Sequence, residues 1–326
     1  MELSDLNSPV ERALPGLLGF EDPALVHLTQ RDLLGEEIGD HSSLLNLPKV
    51  KRILNQQEEE GFWPYPGNRR NAHPTENYHI LQTYRMLGVL IDQYALDRSI
   101  PQVARAAEYL FAHQTSEGDI RGIFGSQYAP HYTAGLIELL IKAGYQDETR
   151  IDRAMTWFKA MRGEDGGWAW PLRTTGVDYA DAIGMDNPVQ PDLSKPFSHV
   201  LTGFVIRVYA VHPRYRADPI AHRAGVLLKG RFLKADKYPD RRGAAYWLKF
   251  QYPFWWGNLL TALDSLSKLG FSIHDHQVAE GISWFLENQE ENGFWPTGYG
   301  SGKGAPRNQA WVALAVCRFL KAFSRE

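Results

Sequence analysis

The chain has 326 residues, of which 44% are hydrophobic, 22% charged and 12% aromatic, and this apolar content excludes disorder as the main state. Its 35 Lys and Arg residues against 38 Asp and Glu residues give a formal charge of -3, which excludes nucleic acid as the expected partner. One cysteine, Cys317, excludes an intrachain disulfide and a cysteine-rich metal cluster, while the ten tryptophans require an explanation.

The N-terminal residues 1–22 are predicted to form an extension or the first outer helix of a single domain that spans residues 1–326. Their first twelve residues, MELSDLNSPVER, lack the basic and apolar regions of a secretory signal. No apolar run in the chain approaches the ~18 residues of a transmembrane segment. We therefore expect a soluble, cytoplasmic protein, for which peripheral membrane contact stays possible and the oligomeric state is unspecified.

Four similar turns recur along the chain. QEEEGFWP from Gln57 and QEENGFWP from Gln289 share the spacing Gln-x-x-x-Gly-x-Trp-Pro. QTSEGDI from Gln114 keeps the Gln and the Gly, and RGEDGGW from Arg162 keeps the Gly and the Trp. Glycine ends a preceding helix, the Gln can bond backbone groups of the adjoining turn, and the Trp can pack on the neighbouring repeat. This pattern favours a structural role for these Gln and Trp residues.

Prolines mark the start of a second helix about a dozen residues after most of these turns. They are separated by 51 to 66 residues and comprise Pro23, Pro74, Pro130, Pro196, Pro253 and Pro306. Proline suits the first turn of a helix. Each unit thus pairs a polar-faced outer helix with an inner helix that is apolar nearly all round, as in residues 101–114 and 131–143. Six such units predict an all-α fold, an α/α toroid of about six inner and six outer helices.

The turns resemble the QW motif of the squalene and oxidosqualene cyclases, whose α/α toroid is shared with the β subunits of protein prenyltransferases. Segments that start at Asp22, Arg121, Met161 and Lys249 resemble prokaryotic prenyltransferase or squalene-oxidase repeat proteins. The resemblance covers residues 23–323 and implies a terpene cyclase-like toroid. Because one fold hosts many functions, it implies the architecture more than the reaction.

The chain departs from both enzyme groups at their catalytic signatures. Protonation-initiated terpene cyclases carry an Asp-x-Asp-Asp run, to which the nearest approach here is VDYADA, with Asp178 and Asp181, in a predicted long loop at residues 171–196 at the barrel mouth. Protein prenyltransferases bind zinc through Asp, Cys and His, and no Asp-x-Cys surrounds Cys317. We expect no metal and no cofactor. If an acid starts a reaction, the candidates are Asp178 and Asp181, kept protonated by burial.

Residues near the starts of the inner helices are expected to converge at one mouth of the ring. The candidate ligand contacts are aromatic or hydrogen-bonding side chains at these starts: Tyr78, Tyr128, Tyr132, Trp170, Tyr252, Trp255, Trp256, Asn258, Asn308 and Trp311. This mixture is typical of a cavity that holds an apolar body by a polar end. His131 and His199, at matching helix starts, are candidates for a general acid or base, although a hydrogen-bonding role is the simpler interpretation.

Charged residues also fall on the inner faces, where isolated ions would cost several kcal/mol each. Arg85 and Glu138, on adjacent inner helices, are predicted to form an ion pair. Bracing of the ring is the simpler role for such charges, and an anion-binding lumen is the alternative.

The sequence favours a toroid that binds a small apolar or amphiphilic ligand, an isoprenoid or another lipid-like molecule. If the protein is an enzyme, the expected activity is acid-initiated cyclisation or isomerisation, or a prenyl transfer without zinc. A non-catalytic toroid that binds a peptide or protein is the main alternative. A carbohydrate-active α/α toroid is disfavoured by the type of turn.

Overall fold

The computed structural model describes residues 3–37, 42–66, 73, 76–300 and 302–324. Within these residues the chain is helical and forms an α/α toroid, an inner ring of helices inside an outer one, and no strand occurs in them. The predicted fold class is confirmed. No helix of the described ranges has both the length and the apolar character needed to cross a membrane.

The inner ring contains six helices in the described part of the chain. They are α2 (Pro23–Thr29), α5 (Tyr78–Gly88), α7 (Pro130–Leu140), α11 (His199–Val211), α13 (Leu259–Lys268) and α15 (Ala305–Phe323), and the first three continue into π-helical turns at Gln30–Leu34, Val89–Gln93 and Ile141–Tyr145. Nearly every residue of α7 and α11 is buried, as expected for helices that are apolar on all sides. Helices α5, α7, α11, α13 and α15 pack in chain order, and α15 also contacts α2.

The outer ring surrounds these helices with amphipathic ones. Its members in the described ranges are α1 (Leu3–Leu18), α4 (Pro48–Asn55), α6 (Pro101–Ala112), α8 (Thr149–Ala160), α12 (Pro219–Lys229) and α14 (His276–Glu287). Helix α3 (Ser42–Leu45) and helices α9 (Pro171–Thr175) and α10 (Tyr179–Ala182) lie in connections between the rings. The first helix, α1, packs against α14 and α15, so the start of the described chain meets its end.

The repeated turns join neighbouring outer helices. After α6, the side-chain Nε2 of Gln114 donates hydrogen bonds to the carbonyl oxygens of Gly118 and of Arg150 on α8, each at 2.8 Å. Gly118 has φ +112°, and a Cβ atom there would lie 2.5 Å from the carbonyl oxygen of Arg153. Only glycine allows this close approach of the turn to the next helix.

The tryptophans of the turns hold each turn to the outer helix that precedes it. The indole Nε1 atoms of Trp63, Trp168 and Trp295 each donate to a carbonyl oxygen ten residues earlier, at 2.7, 2.8 and 2.7 Å. All three side chains are fully buried. These tryptophans therefore have a structural role within their own units, and these bonds do not reach the neighbouring repeat.

Two local predictions need correction. Pro196 and Pro253 do not open inner helices, because α11 and α13 begin later, where the side chains of Ser198 and Asn258 cap their N-termini. Residues 171–196, predicted as a loop without its own helix, contain α9 and α10. Pro74 lies outside the described residues.

Candidate functional site

The centre of the ring is crossed by a chain segment, residues 250–257, which we call the central segment. The carbonyl oxygen of Tyr252 accepts a hydrogen bond from the side chain of Gln93 at 3.3 Å. The phenol hydroxyl of Tyr252 donates to the carbonyl oxygen of Asp92 at 3.0 Å. The carbonyl oxygen of Phe254 accepts a hydrogen bond from Arg207 of α11 at 3.2 Å. These bonds tie the segment to α11 and to the π-helical turn that follows α5, and the residues of the segment line two cavities.

The first of these, the apolar cavity, has a volume of about 610 Å³. It is lined by Leu81, Tyr84, Arg85, Met86, Val89, Ile123, Phe124, His131, Tyr132, Phe204, Gln251, Trp255 and Trp256. The volume falls within the ~300–1,000 Å³ of sites that hold small molecules. None of these described lining residues carries a carboxylate.

Aromatic side chains form the wall of the apolar cavity. The rings of Tyr84 and Trp255 meet edge to face with centroids 5.1 Å apart, and Tyr84 meets Tyr132 in the same way at 5.9 Å. A Cβ atom at Gly88 would lie 3.2 Å from the indole of Trp255, so the glycine on α5 makes room for this ring. Such edge-to-face contacts stabilise the wall and expose ring faces to the cavity.

Two polar atoms in this wall have no hydrogen-bond partner among the described residues, the hydroxyl of Tyr132 and Nδ1 of His131. Burial lowers the pKa of His131 to about 4, so its imidazole is neutral at pH 7 and cannot serve as the acid. Burial raises the pKa of Tyr132 well above its usual range, so the phenol keeps its proton. The cavity therefore offers one hydroxyl donor and one neutral imidazole.

Arg85 contributes a positive charge to the same wall, and the predicted Arg85–Glu138 ion pair is wrong. Glu138 instead binds Arg207 of α11 at 2.6 Å and Lys142 of its own helix at 2.7 Å. Between α5 and α7 the space is filled by Tyr84, whose hydroxyl a Cβ atom at Gly135 would overlap. Arg85 therefore faces the cavity, with its guanidinium carbon 5.8 Å from the ring centre of Tyr65.

The two proposed acids lie away from the cavity wall. The side chain of Asp178 accepts a hydrogen bond from the amide of Ala180 and caps α10, and both Asp178 and Asp181 are exposed. The burial that the proton-donor hypothesis requires is absent. His199 stacks on Trp247 with ring centres 4.5 Å apart.

Of the predicted ligand contacts, Tyr132, Trp255 and Trp256 line the apolar cavity, as does His131. Trp170 packs behind the wall and donates to the carbonyl oxygen of Tyr128 at 2.8 Å. Tyr78 packs edge to face against Tyr65 with ring centres 5.2 Å apart.

The remaining candidates hold the central segment in place. Asn308 accepts from the amide of Tyr252 at 3.1 Å, and Asn258 donates to the carbonyl oxygen of Lys249 at 3.0 Å. Trp311 is fully buried, stacks on Tyr252 and donates to Asp22 at 3.1 Å. Their hydrogen-bonding capacity is used inside the protein.

The second, polar cavity measures about 390 Å³ and lies at the C-terminal ends of the inner helices. Its charges are paired with one another: Asp32 binds Arg318 at 2.5 Å and Arg31 at 2.6 Å, and Lys142 binds Asp92 at 3.1 Å. Tyr252, predicted as a ligand contact, lines this cavity.

Several lining residues were not predicted, because they lie within the inner helices and not near their starts. Tyr84, Met86 and Val89 lie two to three turns into α5 and its π-helical extension, and Phe204 lies within α11. A signal was available in the glycines inside apolar helices, Gly88 and Gly135, which mark positions where a large side chain packs closely.

Comparisons with known proteins agree with this architecture. The profile of the squalene-hopene cyclase C-terminal domain matches residues 73–188. A squalene-hopene cyclase from Zymomonas mobilis is 22% identical over 218 residues, which are 67% of this chain and 23% of that enzyme. The chain thus matches less than a quarter of the length of this curated relative.

Solved structures of the type II terpene cyclase MstE from Scytonema share the fold over nearly the whole chain. A variant in complex with geranylgeranyl dihydroxybenzoate aligns over 99% of this chain and 98% of its own, with a TM-score of 0.52 and 13% identity. A second variant without ligand gives the same coverage, a TM-score of 0.53 and 14% identity. These similarities show that the chain shares the α/α toroid fold of the type II terpene cyclases.

Proposed function

We propose that the apolar cavity binds an isoprenoid or another lipid-like ligand. The observation that carries this proposal is the cavity itself, about 610 Å³ lined mainly by aliphatic and aromatic side chains. Apolar surface removed from water gains about 25 cal/mol per Å², so an extended hydrocarbon chain is the ligand that gains most from such a wall. The complex of MstE with geranylgeranyl dihydroxybenzoate supports the same ligand class.

The geometry supports binding better than acid-initiated cyclisation. That reaction needs a protonated acid at the alkene, yet the described lining residues hold no carboxyl group and His131 is neutral at pH 7. The ring faces of Tyr84 and Trp255 would each stabilise a cation by roughly 0.5–2 kcal/mol, but only after another group had generated it. Glycoside hydrolysis is disfavoured on the same ground, because it requires two carboxyl groups at the site. The cytoplasmic location stays a prediction, as does the absence of nucleic acid among the partners.

Filling the cavity tests the proposal. In the full chain, Val89→Trp places an indole in the cavity and should lower the affinity for geranylgeraniol at least tenfold, because the added ring takes the volume of the hydrocarbon. Val226→Trp is the matched control, since Val226 is exposed on α12, and it should change the affinity less than twofold. Isothermal titration calorimetry measures both, with circular dichroism to check folding.

The proposal fails if the unmodified protein binds neither geranylgeraniol nor its carboxylic acid, or if Val89→Trp and Val226→Trp bind the ligand equally well. Native mass spectrometry of the protein from its own host provides a second readout. A co-purifying lipid supports the proposal, and a bound peptide would favour the peptide-binding alternative instead.

A further inference from the structure

We infer that the ligand of the apolar cavity carries a carboxylate, which Arg85 and Tyr132 bind inside the ring. This inference rests on the proposed function and specifies its ligand as an acidic amphiphile in place of a hydrocarbon or an alcohol. Three observations support it: a cation without an ionic partner, a buried hydroxyl without a bond, and the absence of carboxylates from the described cavity wall.

Arg85 differs from the other arginines on the inner helices. Arg207 binds Glu138 at 2.6 Å, and Arg318 binds Asp32 at 2.5 Å. Within the residues that the structure describes, Arg85 contacts the face of Tyr65 and forms no ion pair. A half-buried guanidinium in an apolar wall favours an anionic partner, and its planar fork of donors matches a carboxylate in two parallel hydrogen bonds.

Tyr132 presents a second donor to the same cavity. Its side chain is only 5% exposed, and its hydroxyl finds no acceptor among the described residues. The ring is held against the backbone at Gly122, where φ is +58° and a Cβ atom would overlap the phenol ring. An unsatisfied buried donor is unfavourable, and a ligand oxygen that accepts from it would satisfy it. Arg85 and Tyr132 line the same cavity, so one ligand in that cavity has access to both donors.

The charge balance of the wall favours a single negative charge. Arg85 is the one charged side chain among its described lining residues at neutral pH. At the rim, Arg241 stacks over the ring of Trp256 at 3.7 Å, which adds positive potential without a second direct ligand. A diphosphate would bring more negative charge than one arginine can pair, and burying unpaired charge is unfavourable. A monoanionic carboxylate fits this arrangement best.

Three probes with one hydrocarbon chain separate the head groups: geranylgeranoic acid, geranylgeraniol and geranylgeranyl diphosphate, each titrated calorimetrically into the full chain. We expect the acid to bind at least tenfold more tightly than the alcohol. Arg85→Gln should abolish this preference, because it should lower the affinity for the acid tenfold or more and change the affinity for the alcohol less than twofold. Tyr132→Phe should lower the affinity for the acid about threefold to tenfold.

Arg98→Gln is the matched control, because Arg98 also lies over a tyrosine, with its guanidinium carbon 5.9 Å from the ring centre of Tyr145, but lies outside the cavity wall. It should leave all three affinities unchanged. If Arg85→Gln does not fold, Arg85→Lys replaces it, because lysine keeps the charge but loses the paired hydrogen bonds. Arg85→Lys should lower the affinity for the acid and leave the affinity for the alcohol unchanged.

The outcomes separate the two proposals. Equal binding of acid and alcohol, unaffected by Arg85→Gln, overturns the carboxylate inference and leaves lipid binding in place. Tighter binding of the diphosphate than of the acid also overturns it. Binding of none of the three probes contradicts both proposals.

Discussion

His131 shows how enclosure sets the protonation state of one side chain. Its ring lies 5.1 Å from that of Phe124, 5.9 Å from Phe204 and 6.1 Å from Trp170. Burial lowers its pKa from 6.5 to about 4, and the distant charge of Asp240 only partly opposes this. Between pH 6.5 and 4 the unfolded chain therefore binds a proton that the folded protein does not. The free energy of unfolding must fall as the pH falls through this window.

Replacing His131 with a residue that does not titrate should remove this dependence. Between pH 7 and pH 5, the native protein should lose about 2 kcal/mol more stability than His131→Gln, because the proton uptake of the unfolded state disappears in the variant. Urea unfolding of both proteins at the two pH values measures the difference. Identical losses would show that His131 is protonated in the folded state as readily as in the unfolded one.

Between elements, the strongest electrostatic link joins α7 and α11. Burial alone would raise the pKa of Glu138, but the charges of Arg207 and Lys142 outweigh it and lower the value to about 2. The carboxylate therefore stabilises the fold above the unfolded-state pKa of 4.5, and this contribution is lost as the pH falls toward 2. At neutral pH the link is fully charged.

Removing the carboxylate should destabilise the protein strongly. Glu138→Gln leaves the buried Arg207 and Lys142 without their shared anion, and a broken buried pair costs about 3–5 kcal/mol. Asp264→Asn is the matched control, since it breaks the partly exposed pair with Lys268 one turn away on α13 and should cost less than about 0.5 kcal/mol. Urea denaturation at pH 7 compares them, and similar losses from both substitutions would contradict the bracing role.

The inner-helix arginines also show which contacts can be predicted from a sequence. Arg85 lies eleven residues after Pro74, and Arg207 lies eleven residues after Pro196, so the sequence spacing predicts equivalent positions on two inner helices. Their helices begin at Tyr78 and His199, so they are seven and eight residues into α5 and α11. One residue rotates a side chain by about 100° on a helix. Arg207 therefore turns toward Glu138, whereas Arg85 turns toward the cavity.

At the scale of the whole molecule, the ring was predictable and its division into two cavities was not. The repeated turns act locally, because Gln57, Gln114 and Gln289 each bond a glycine four residues on and a backbone carbonyl of the next outer helix. Such a pattern can be read from the sequence. The central segment repeats nothing, and its position depends on partners as distant as Gln93 and Asn308. Because no repeat indicates where the central segment lies, several residues predicted to contact a ligand are found to hold this segment.

The seam between the two ends of the described chain tests whether the ring is closed in solution. At this seam Gln289 donates to the carbonyl oxygens of Gly293 and Pro9, and its own oxygen accepts from Arg12 at 2.7 Å. Gln114 makes the same three bonds inside the ring, with Gly118, Arg150 and Arg153. If α1 is an integral outer helix, both glutamines stabilise the fold equally.

Gln289→Leu and Gln114→Leu should therefore each lower the free energy of unfolding by about 3 kcal/mol, because each removes three hydrogen bonds worth about 1 kcal/mol apiece. Gln56→Leu, at an exposed position beside the first turn, should change it by less than about 0.5 kcal/mol. Urea unfolding followed by tryptophan fluorescence measures all three. A loss from Gln114→Leu without one from Gln289→Leu would mean that α1 opens from the ring before the rest unfolds, and that the toroid is a horseshoe in solution.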